Sequence, residues 1–259
     1  MLCCITFSDT EGEDSYKEKA AELALALNLP LGGSGTFDSR YALHYSKAGL
    51  QLLSHPSLKQ NPIQVDFSQG KLAHRLLQAE PKQGLAKALG LKKGYLPTVI
   101  DATAGLGADS FIMSRLGCTV TLLERSPIVA ALLQDGLRRG FENRELNSLI
   151  QRMTLHQAQA EDFLAILPTN KLPQVIYLDP MYPYERAQTA LNKKEMRVLR
   201  ELVGGDLDSA KLLEIALEKA LKRVVIKRPK KAPLIGSMSP SYIVKGKSTR
   251  YDVYLISPI

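Results

Sequence analysis

The sequence has no long apolar run, few cysteines and few histidines, and each shortage excludes a class of protein. No stretch of the 259 residues approaches the roughly 20 apolar residues of a bilayer-spanning helix, and the first residues lack the pattern of a secretory signal. The three cysteines form no Cys-x-x-Cys, which argues against a disulfide framework or a zinc ribbon. The four histidines show no metal-ligand spacing. We therefore expect no membrane span, no metal and a reduced cytoplasmic setting.

The basic residues are unevenly distributed along the chain. Residues 1–183 hold equal numbers of acidic and basic side chains, so the formal net charge of +8 falls entirely on residues 184–259. Such an asymmetry favours a polyanionic partner, although a solvated basic surface would produce the same composition.

The first part of the chain is predicted to form a small α+β unit. Alternating apolar residues predict strands, and one segment has the period of an amphipathic helix. The strands are predicted at 2–7, 41–45 and 63–67, and the helix at 15–27. We expect residues 1–90 to form this N-terminal unit and residues 91–259 to form a larger domain.

Strands and helices alternate from about residue 97, which predicts a parallel sheet with crossover helices. The predicted strands are 98–101, 119–123, 153–156, 174–178 and 223–227, and the predicted helices are 109–116, 127–139, 160–167, 193–203 and 209–221. Two last strands, 242–244 and 251–256, are too close in sequence for a crossover helix, so they must form an antiparallel hairpin. The predicted fold class is α/β, with the Rossmann-like seven-stranded sheet of class I methyltransferases.

The segment from Val99 to Asp109 runs from a buried strand through a turn of small residues into a helix. Gly105 and Gly107 allow the backbone to approach a ligand closely, and the following helix N-terminus offers N–H groups. Dehydrogenases use Gly-x-Gly-x-x-Gly in the same place, but Ser110 stands at the third glycine position here. Together with Asp101, the alanine-rich turn is more typical of a site for a zwitterionic amino acid than for a pyrophosphate.

Acidic residues follow the next two predicted strands. Glu124 ends the second strand, where a carboxylate can accept hydrogen bonds from both ribose hydroxyls of a nucleoside. It indicates an adenosine-containing cofactor without distinguishing NAD from S-adenosylmethionine. Glu161 and Asp162 follow the third strand, where one of them could meet the adenine amino group, but an ordinary helix N-terminal charge pair would look the same.

A further apolar strand runs into Asp-Pro-Met-Tyr-Pro at 179–183. A carboxylate there lies at the edge of the sheet where ligands bind in open α/β folds, and the prolines stiffen the loop. Acceptors aimed at both N–H groups of a planar nucleobase amine favour a more nucleophilic geometry, and an aromatic face nearby can stack on the ring. A sulfonium cofactor brings its own leaving group, so the protein has mainly to position the reactants. We predict that Asp179 holds the target amine and that Tyr182 stacks the base.

Basic side chains cluster after this motif, in two segments. The first opens a predicted helix and the second follows the fifth strand at the same edge of the sheet; they contain Lys193, Lys194 and Arg197, and Lys227, Arg228, Lys230 and Lys231. Cations that converge on a catalytic edge are better explained by phosphate contacts than by general solubility, which predicts a nucleic acid as the polyanion.

Five short motifs occur together and in order. They are Asp-Ala-Thr-Ala-Gly-Leu-Gly at 101–107, Leu-Glu-Arg at 123–125, Tyr-Leu-Asp-Pro-Met-Tyr-Pro at 177–183, Lys-Lys-Glu-Met-Arg at 193–197 and Ile-Lys-Arg-Pro at 226–229. This set resembles the ribosomal RNA small subunit methyltransferase J family, bacterial enzymes that methylate guanine N2 in 16S rRNA. The resemblance covers nearly the whole chain, and Asp-Pro-Met-Tyr/Phe-Pro departs from the commoner Asn/Asp-Pro-Pro-Tyr of other amino-methyltransferases.

The resemblance implies S-adenosyl-L-methionine as cofactor and 16S rRNA, or the small ribosomal subunit, as partner. It implies cofactor contacts after the first, second and fourth strands of the large domain, at Ala108, Asp109, Glu124, Arg125 and Asp179. A further pair follows the third strand, where family members carry small hydroxyl residues and this chain offers Glu161 and Asp162.

Two other functions stay open from the residues themselves. An adenine-N6 DNA methyltransferase would use a similar Asp-Pro motif, but usually carries a large target-recognition region. A non-catalytic RNA-binding protein could retain the same fold. A nicotinamide dehydrogenase is disfavoured, because nothing resembles an acid–base pair for hydride transfer.

Overall fold

The computed structural model describes residues 3–8, 14–33, 37–68, 83–180, 198–199, 201–202 and 209–256, without the side chains of residues 14, 15 and 83. Short 3-10 turns lie at Pro56–Leu58 and Thr169–Lys171. In chain order the helices and strands are β1 (Cys3–Phe7), α1 (Asp14–Leu27), β2 (Tyr41–Ser46), β3 (Gly49–Ser54), α2 (Gln83–Leu89), β4 (Thr98–Asp101), α3 (Ala108–Arg115), β5 (Thr119–Glu124), α4 (Pro127–Glu142), α5 (Asn147–Ile150), β6 (Met153–Gln157), α6 (Ala160–Ala165), β7 (Val175–Leu178), α7 (Ser209–Lys219), β8 (Arg223–Pro229), β9 (Tyr242–Lys245) and β10 (Thr249–Leu255).

Within the described residues, the later strands form a seven-stranded sheet in the order β6-β5-β4-β7-β8-β10-β9. Neighbours from β6 to β8 pair in parallel, whereas β10 is antiparallel to both β8 and β9. The central strands read as apolar runs because helices cover both faces of a parallel sheet. The structure confirms the predicted class I methyltransferase fold, including the C-terminal antiparallel hairpin.

Alternate residues of the large sheet enter two separate cores. One face contributes Val99, Leu122 and Tyr177 to a core shared with α3, α4 and the strands β1–β3. The other face contributes Ile100 and Ile176 to a core covered by α6 and α7. The small sheet and the large sheet are therefore held together by one continuous hydrophobic core.

The small sheet has the order β1-β2-β3, with β1 parallel to β2 and β2 antiparallel to β3. The predicted strands at 2–7 and 41–45 and the helix at 15–27 are confirmed to within about one residue. The predicted strand at 63–67 is wrong, since Ile63 makes only an isolated bridge to Leu52, and the third strand is β3.

The physical reason for that error is that burial alternates without strand pairing. Ile63, Val65 and Phe67 are all buried, at 5%, 0% and 1% exposure. Their side chains fill the core between the sheets, where Phe67 stacks on Phe111 at a ring-centroid distance of 4.8 Å. An alternating pattern predicts which side chains point inward, and says nothing of the hydrogen-bond partner.

The remaining boundaries are close to those predicted. The strands of the large domain begin and end within about two residues of their expected positions. The helix predicted at 160–167 ends earlier, at Ala165. Of the one predicted at 193–203, only residues 198–199 and 201–202 are described, and these are helical. The division after residue 90 stays a prediction; α2, just before it, packs against β8, β9 and β10. None of the described helices has the length and apolar character needed to cross a membrane.

A buried carboxylate on α4 connects that helix to the small sheet. Asp135 is 6% exposed and accepts a hydrogen bond from the Leu50 N–H of β3 at 3.0 Å. Arg139 donates to it at 2.8 Å and Arg138 at 3.1 Å. Burial by itself would raise the pKa of the Asp135 carboxyl, but these donors hold the pKa below its ordinary value. The charged form of Asp135 is therefore the one that stabilises the junction.

Asp135→Ala should lower the free energy of unfolding by about 2–3 kcal/mol, because it deprives a buried N–H and a guanidinium of their acceptor. Urea denaturation at pH 7 measures the difference. Since the folded-state pKa lies below the ordinary value of 3.8, the contribution is present above that pH and is lost as the pH falls through the folded-state pKa. The difference between wild type and variant should shrink in acid.

The matched control is Glu142→Ala. Glu142 is exposed and pairs with the half-exposed Arg138 at 2.8 Å, and such surface pairs stabilise by less than about 1 kcal/mol. Equal effects of the two substitutions would contradict the role given to Asp135.

Candidate active site

Polar side chains from four strands meet at one edge of the large sheet. Asp101 ends β4, Glu124 ends β5, Asp179 follows β7, and Lys227 lies near the end of β8. Because these strands are parallel neighbours, their carboxyl ends lie side by side. The predicted residues are thereby brought together at the edge where open α/β folds bind ligands.

The turn between β4 and α3 requires glycine at two positions. Gly105 has φ +55° and Gly107 has φ +77°, a region that other residues rarely adopt. A Cβ on Gly107 would also meet the Leu133 side chain at 2.7 Å. A Cβ on Gly105 would meet no described atom within 4 Å, so it would project into open space beside the turn. The turn thus presents bare backbone to a space that a ligand can enter, and Ala108 begins α3 directly behind it.

Glu124 ties two loops together through both carboxylate oxygens. One oxygen accepts from the Gly105 N–H at 2.9 Å, and the other from the Ser126 N–H at 2.7 Å. The side chain is 6% exposed. A carboxylate at the end of this strand is the group that accepts from ribose hydroxyls in dinucleotide sites. Glu124 therefore both shapes the glycine turn and fits the ribose contact predicted for it.

Asp101 is almost fully buried beneath the turn, at 2% exposure. It accepts from the Ser110 hydroxyl at 2.5 Å and from the Thr103 N–H at 3.2 Å. Burial raises the pKa of the Asp101 carboxyl to about 7. The two hydrogen bonds lower this pKa, and the negative charges of Asp109 and Asp179 raise it by smaller amounts. Asp101 can therefore change its charge near neutral pH.

A second group of polar side chains surrounds the Lys227 ammonium. Lys227 donates to Asp179 Oδ2 at 2.8 Å and also to Asp109 Oδ2. The Tyr177 hydroxyl donates to the same Asp109 oxygen at 2.7 Å. On the other side, the Asp179 N–H donates to the Thr103 hydroxyl at 2.6 Å. The predicted catalytic carboxylate is thus held from its backbone and from its side chain, and remains 40% exposed.

The electrostatics of this group follow from its burial and its two carboxylates. Burial by itself would lower the pKa of the Lys227 ammonium, but Asp179 and Asp109 raise the pKa well above its ordinary value. Burial raises the pKa of the Tyr177 hydroxyl, and the nearby carboxylates add to that shift. Burial likewise raises the pKa of Tyr251 to about 12. Lys227 is therefore a cation, and both tyrosine hydroxyls stay neutral.

The other predicted cofactor residues lie around the same edge. Arg125 follows β5 and is half-buried. Glu161 is half-buried and Asp162 exposed, both in the first turn of α6 beyond β6. Tyr182, Lys193, Lys194 and Arg197 lie outside the described residues. No cluster of three or more metal-binding side chains is present in the ranges that the structure describes.

The basic residues predicted to follow the fifth strand differ in their exposure to solvent. Lys230 and Lys231 are exposed and can reach a phosphate. Arg228 is 3% exposed and donates to the Pro233 carbonyl at 3.0 Å. Lys227 is engaged by the two carboxylates. The geometry therefore favours phosphate contact for Lys230 and Lys231, while the phosphate role predicted for Lys227 and Arg228 lacks an accessible cation.

Two residues of this site were not singled out in the sequence. Tyr177 interrupts an apolar strand with a hydroxyl, which is a usable signal because a buried hydroxyl needs a partner. Thr103 lies within the predicted turn, but small hydroxyl residues are common in turns. The Asp179 N–H, which donates to the Thr103 hydroxyl, becomes its neighbour only through the tertiary fold.

The residues present fit an S-adenosyl-L-methionine site. That cofactor carries a sulfonium and an ammonium, and the edge of the sheet offers three carboxylates beside a glycine turn with open space at Gly105. Glu124 stands where a nucleoside ribose would be held. Fold and site together define a class I S-adenosylmethionine-dependent methyltransferase.

Comparisons with known proteins agree with this class. The family model described as "Putative SAM-dependent methyltransferase" matches residues 25–256. A crystal structure of a SAM-dependent methyltransferase from Neisseria gonorrhoeae is 34% identical, with a TM-score of 0.74 over 97% of this chain and 95% of that one.

Two curated relatives are closer in sequence. The ribosomal RNA small subunit methyltransferase J of Pseudomonas syringae pv. syringae is 48% identical over 92% of this chain and 87% of its own length. The protein of the same name from Thioalkalivibrio sulfidiphilus is 47% identical over 93% and 94%. The chain therefore belongs to the ribosomal RNA small subunit methyltransferase J family.

Glu124→Gln should weaken S-adenosylhomocysteine binding by about 10- to 100-fold, which corresponds to losing one hydrogen bond to a charged group. The amide keeps one acceptor oxygen, and its NH₂ would face the N–H of Gly105 or Ser126. Titration calorimetry measures the affinity, and Glu214→Gln on the exposed side of α7 is the matched control. An affinity equal to that of the wild type would show that the turn does not depend on the carboxylate.

Proposed function

We propose that this chain methylates the exocyclic N2 amine of a guanosine in 16S rRNA, with S-adenosyl-L-methionine as methyl donor. The observation that carries the proposal is the Asp179 carboxylate, held at the carboxyl edge of the sheet by Thr103 and Lys227. The names of the relatives, which specify small subunit ribosomal RNA, support the choice of polymer. Guanine N2 follows from the resemblance carried by Asp-Pro-Met-Tyr-Pro. We further propose a cytoplasmic location, which a ribosomal RNA substrate would support.

The cofactor supplies an electrophilic methyl group and its own leaving group, so the residues of this chain have three tasks. Glu124 holds the ribose, and Asp101, Asp109 and the Gly105–Gly107 turn hold the methionine end, where carboxylates and N–H groups face opposite charges. Asp179 accepts a hydrogen bond from an N–H of the target amine and keeps the lone pair of the amine nitrogen directed at the methyl group. Because that amine becomes acidic only as the bond forms, a positioned carboxylate suffices to accept the proton.

The guanine must leave the RNA stack to reach this edge. Its amine is poorly accessible in paired or stacked RNA, and enzymes that modify bases extrude them. Tyr182 follows Asp179 by three residues and supplies an aromatic face for the extruded ring. Lys230 and Lys231, with Lys193, Lys194 and Arg197, are proposed to hold the phosphates on either side.

Deleting the gene and mapping the rRNA guanine that loses its methyl group tests the proposed function directly. The purified protein should restore N2-methylguanosine in RNA or subunits from the deletion strain, as read by nucleoside mass spectrometry. N6-methyladenosine in DNA would support the adenine-N6 alternative instead. Binding of RNA without any methylated nucleoside would support the non-catalytic alternative.

Asp179→Ala should reduce turnover by about 100-fold or more, because the amine loses the acceptor that positions it. RNA binding, measured by filter retention, should change little, since the cations that contact phosphate are retained. Asp38→Ala removes an exposed carboxylate outside the site and serves as the control. A parallel loss of RNA binding and turnover would argue against the role of Asp179 in catalysis.

Cofactor affinity should rise with pH through about 7, the value to which burial raises the pKa of Asp101. Below that pH the carboxyl is neutral and attracts a cationic ammonium weakly; above it the carboxylate is charged, so binding is coupled to release of a proton. Calorimetry with S-adenosylhomocysteine between pH 6 and 8, in buffers of different ionisation enthalpy, counts that proton. Asp101→Asn should abolish both the pH dependence and the proton release, and persistence of either would assign them to another group.

A further inference from the structure

The Lys227 ammonium lies between two carboxylates at the point where the target amine is proposed to bind. Its Nζ donates to Asp179 Oδ2 at 2.8 Å and to Asp109 Oδ2. The side chain is only 21% exposed. An ammonium has three N–H donors, and two of them are directed at these oxygens. Lys227 is therefore built into the site, below the surface that RNA would touch.

The surrounding charge explains why a cation is needed there. Asp109 and Asp179 bind the same nitrogen, so the two carboxylates are near neighbours, and both raise the pKa of Asp101 through their charge. Like charges at such a distance disfavour ionisation of one another. Lys227 is the ammonium that the structure places between them, and without it one carboxylate would take up a proton more readily.

A protonated Asp179 would serve the reaction poorly. A carboxylic acid keeps one carbonyl acceptor, but that oxygen is a weaker acceptor than a carboxylate oxygen, and the acid cannot take up the proton that the amine releases. The geometry of the ammonium also fixes Oδ2 of Asp179, while the Thr103 hydroxyl fixes the backbone of the same residue. Charge and orientation of Asp179 thus depend on the same contact.

We propose that Lys227 is a positioning residue that keeps Asp179 ionised and oriented towards the target amine, in place of the phosphate contact that its basic sequence neighbourhood suggests. This inference rests on the proposed function for its consequence in catalysis. The protonation of the Asp179 carboxyl, on which the inference depends, can be measured without any substrate.

The direct test follows the Asp179 carboxyl by NMR in protein labelled with ¹³C at aspartate Cγ. The signal is assigned by its absence in Asp179→Ala. In Lys227→Met the titration midpoint should lie about 1–3 pH units higher than in the wild type, the usual effect of losing an adjacent opposite charge. Lys227→Arg should stay close to the wild type, and Lys222→Met, at the opposite end of β8, is the matched control. Identical midpoints in wild type and Lys227→Met would overturn the proposal.

Turnover provides the second test. At saturating cofactor and RNA, Lys227→Met should lose activity on the acid side and recover towards high pH, so that the acid limb of the kcat profile moves upward with the NMR midpoint. A uniform loss at every pH would indicate a purely structural role and would count against the proposal. A raised KM for RNA with unchanged kcat would contradict the proposal and support the alternative role, in which Lys227 contacts a phosphate of the RNA. Tighter binding of S-adenosylhomocysteine with an unshifted profile would mean that Lys227 merely stands where the cofactor ammonium binds.

Two controls keep the outcomes separate. Thermal unfolding establishes whether Lys227→Met is folded, and Lys227→Gln, which is neutral but keeps hydrogen-bond donors, replaces it if it is not. The wild-type protein in the same assay identifies the methylated nucleoside. An unexpected nucleoside would contradict the proposed function and leave the NMR comparison intact, whereas N2-methylguanosine with no shift in midpoint would contradict only the role of Lys227.

Discussion

The site depends on carboxylates held at the carboxyl edge of a parallel sheet, of which Asp101 and Glu124 are buried and Asp179 is 40% exposed. A buried carboxylate without partners would either become protonated or destabilise the fold. Here each one is compensated differently: Asp101 by a serine hydroxyl, Glu124 by two backbone N–H groups, and Asp179 by a lysine. Since the same contacts hold the glycine turn and Asp179 directly after β7, the shape of the edge and its charge are set by one group of interactions.

The small N-terminal sheet packs on the same side of the large sheet as α3 and α4. It shares a hydrophobic core with α3, α4 and one face of the large sheet, and Asp135 adds a polar contact to β3. The Tyr41 hydroxyl donates to Glu201 at 2.8 Å, and Val198 is buried in the same core. The described residues Val198 and Glu201, which follow the Asp-Pro motif in the chain, therefore meet the small sheet through its core and through Tyr41.

Local patterns in the sequence were sufficient to predict most of the fold, because each strand of a parallel sheet carries its own apolar run and each crossover helix its own period. The position of Asp101, Glu124 and Asp179 at one edge followed from strand adjacency alone. Several partners of those carboxylates could not be predicted, since Gly105 for Glu124 and Lys227 for Asp179 are distant in sequence and meet them only in the folded chain. The error at 63–67 has a related origin. Burial alternates along those residues as in a strand, but the third strand of the small sheet is β3.

Lys227 shows how an error of two residues in a strand changes a functional interpretation. The sequence predicts that β8 ends at residue 227, so the basic run that follows appears to be one exposed loop. The strand instead continues to Pro229, opposite β10, and successive side chains of a strand point to opposite faces. Lys227 therefore points to the side of Tyr177 and the carboxylates, and Arg228 to the other side, where it meets Pro233.

The same continuation changes what the basic composition means. Arg223, Arg228 and Arg250 are 4%, 3% and 8% exposed, and they donate to carbonyls or, for Arg250, to Asp252. These cations and Lys227 contribute to the net charge of +8 but stabilise the interior. In the described part of the C-terminal region, the exposed lysines after β8 and in the last hairpin are Lys230, Lys231, Lys245 and Lys247. A polyanion would thus meet a smaller and more localised positive surface than the composition implies, and that surface lies beside the edge where Asp179 is held.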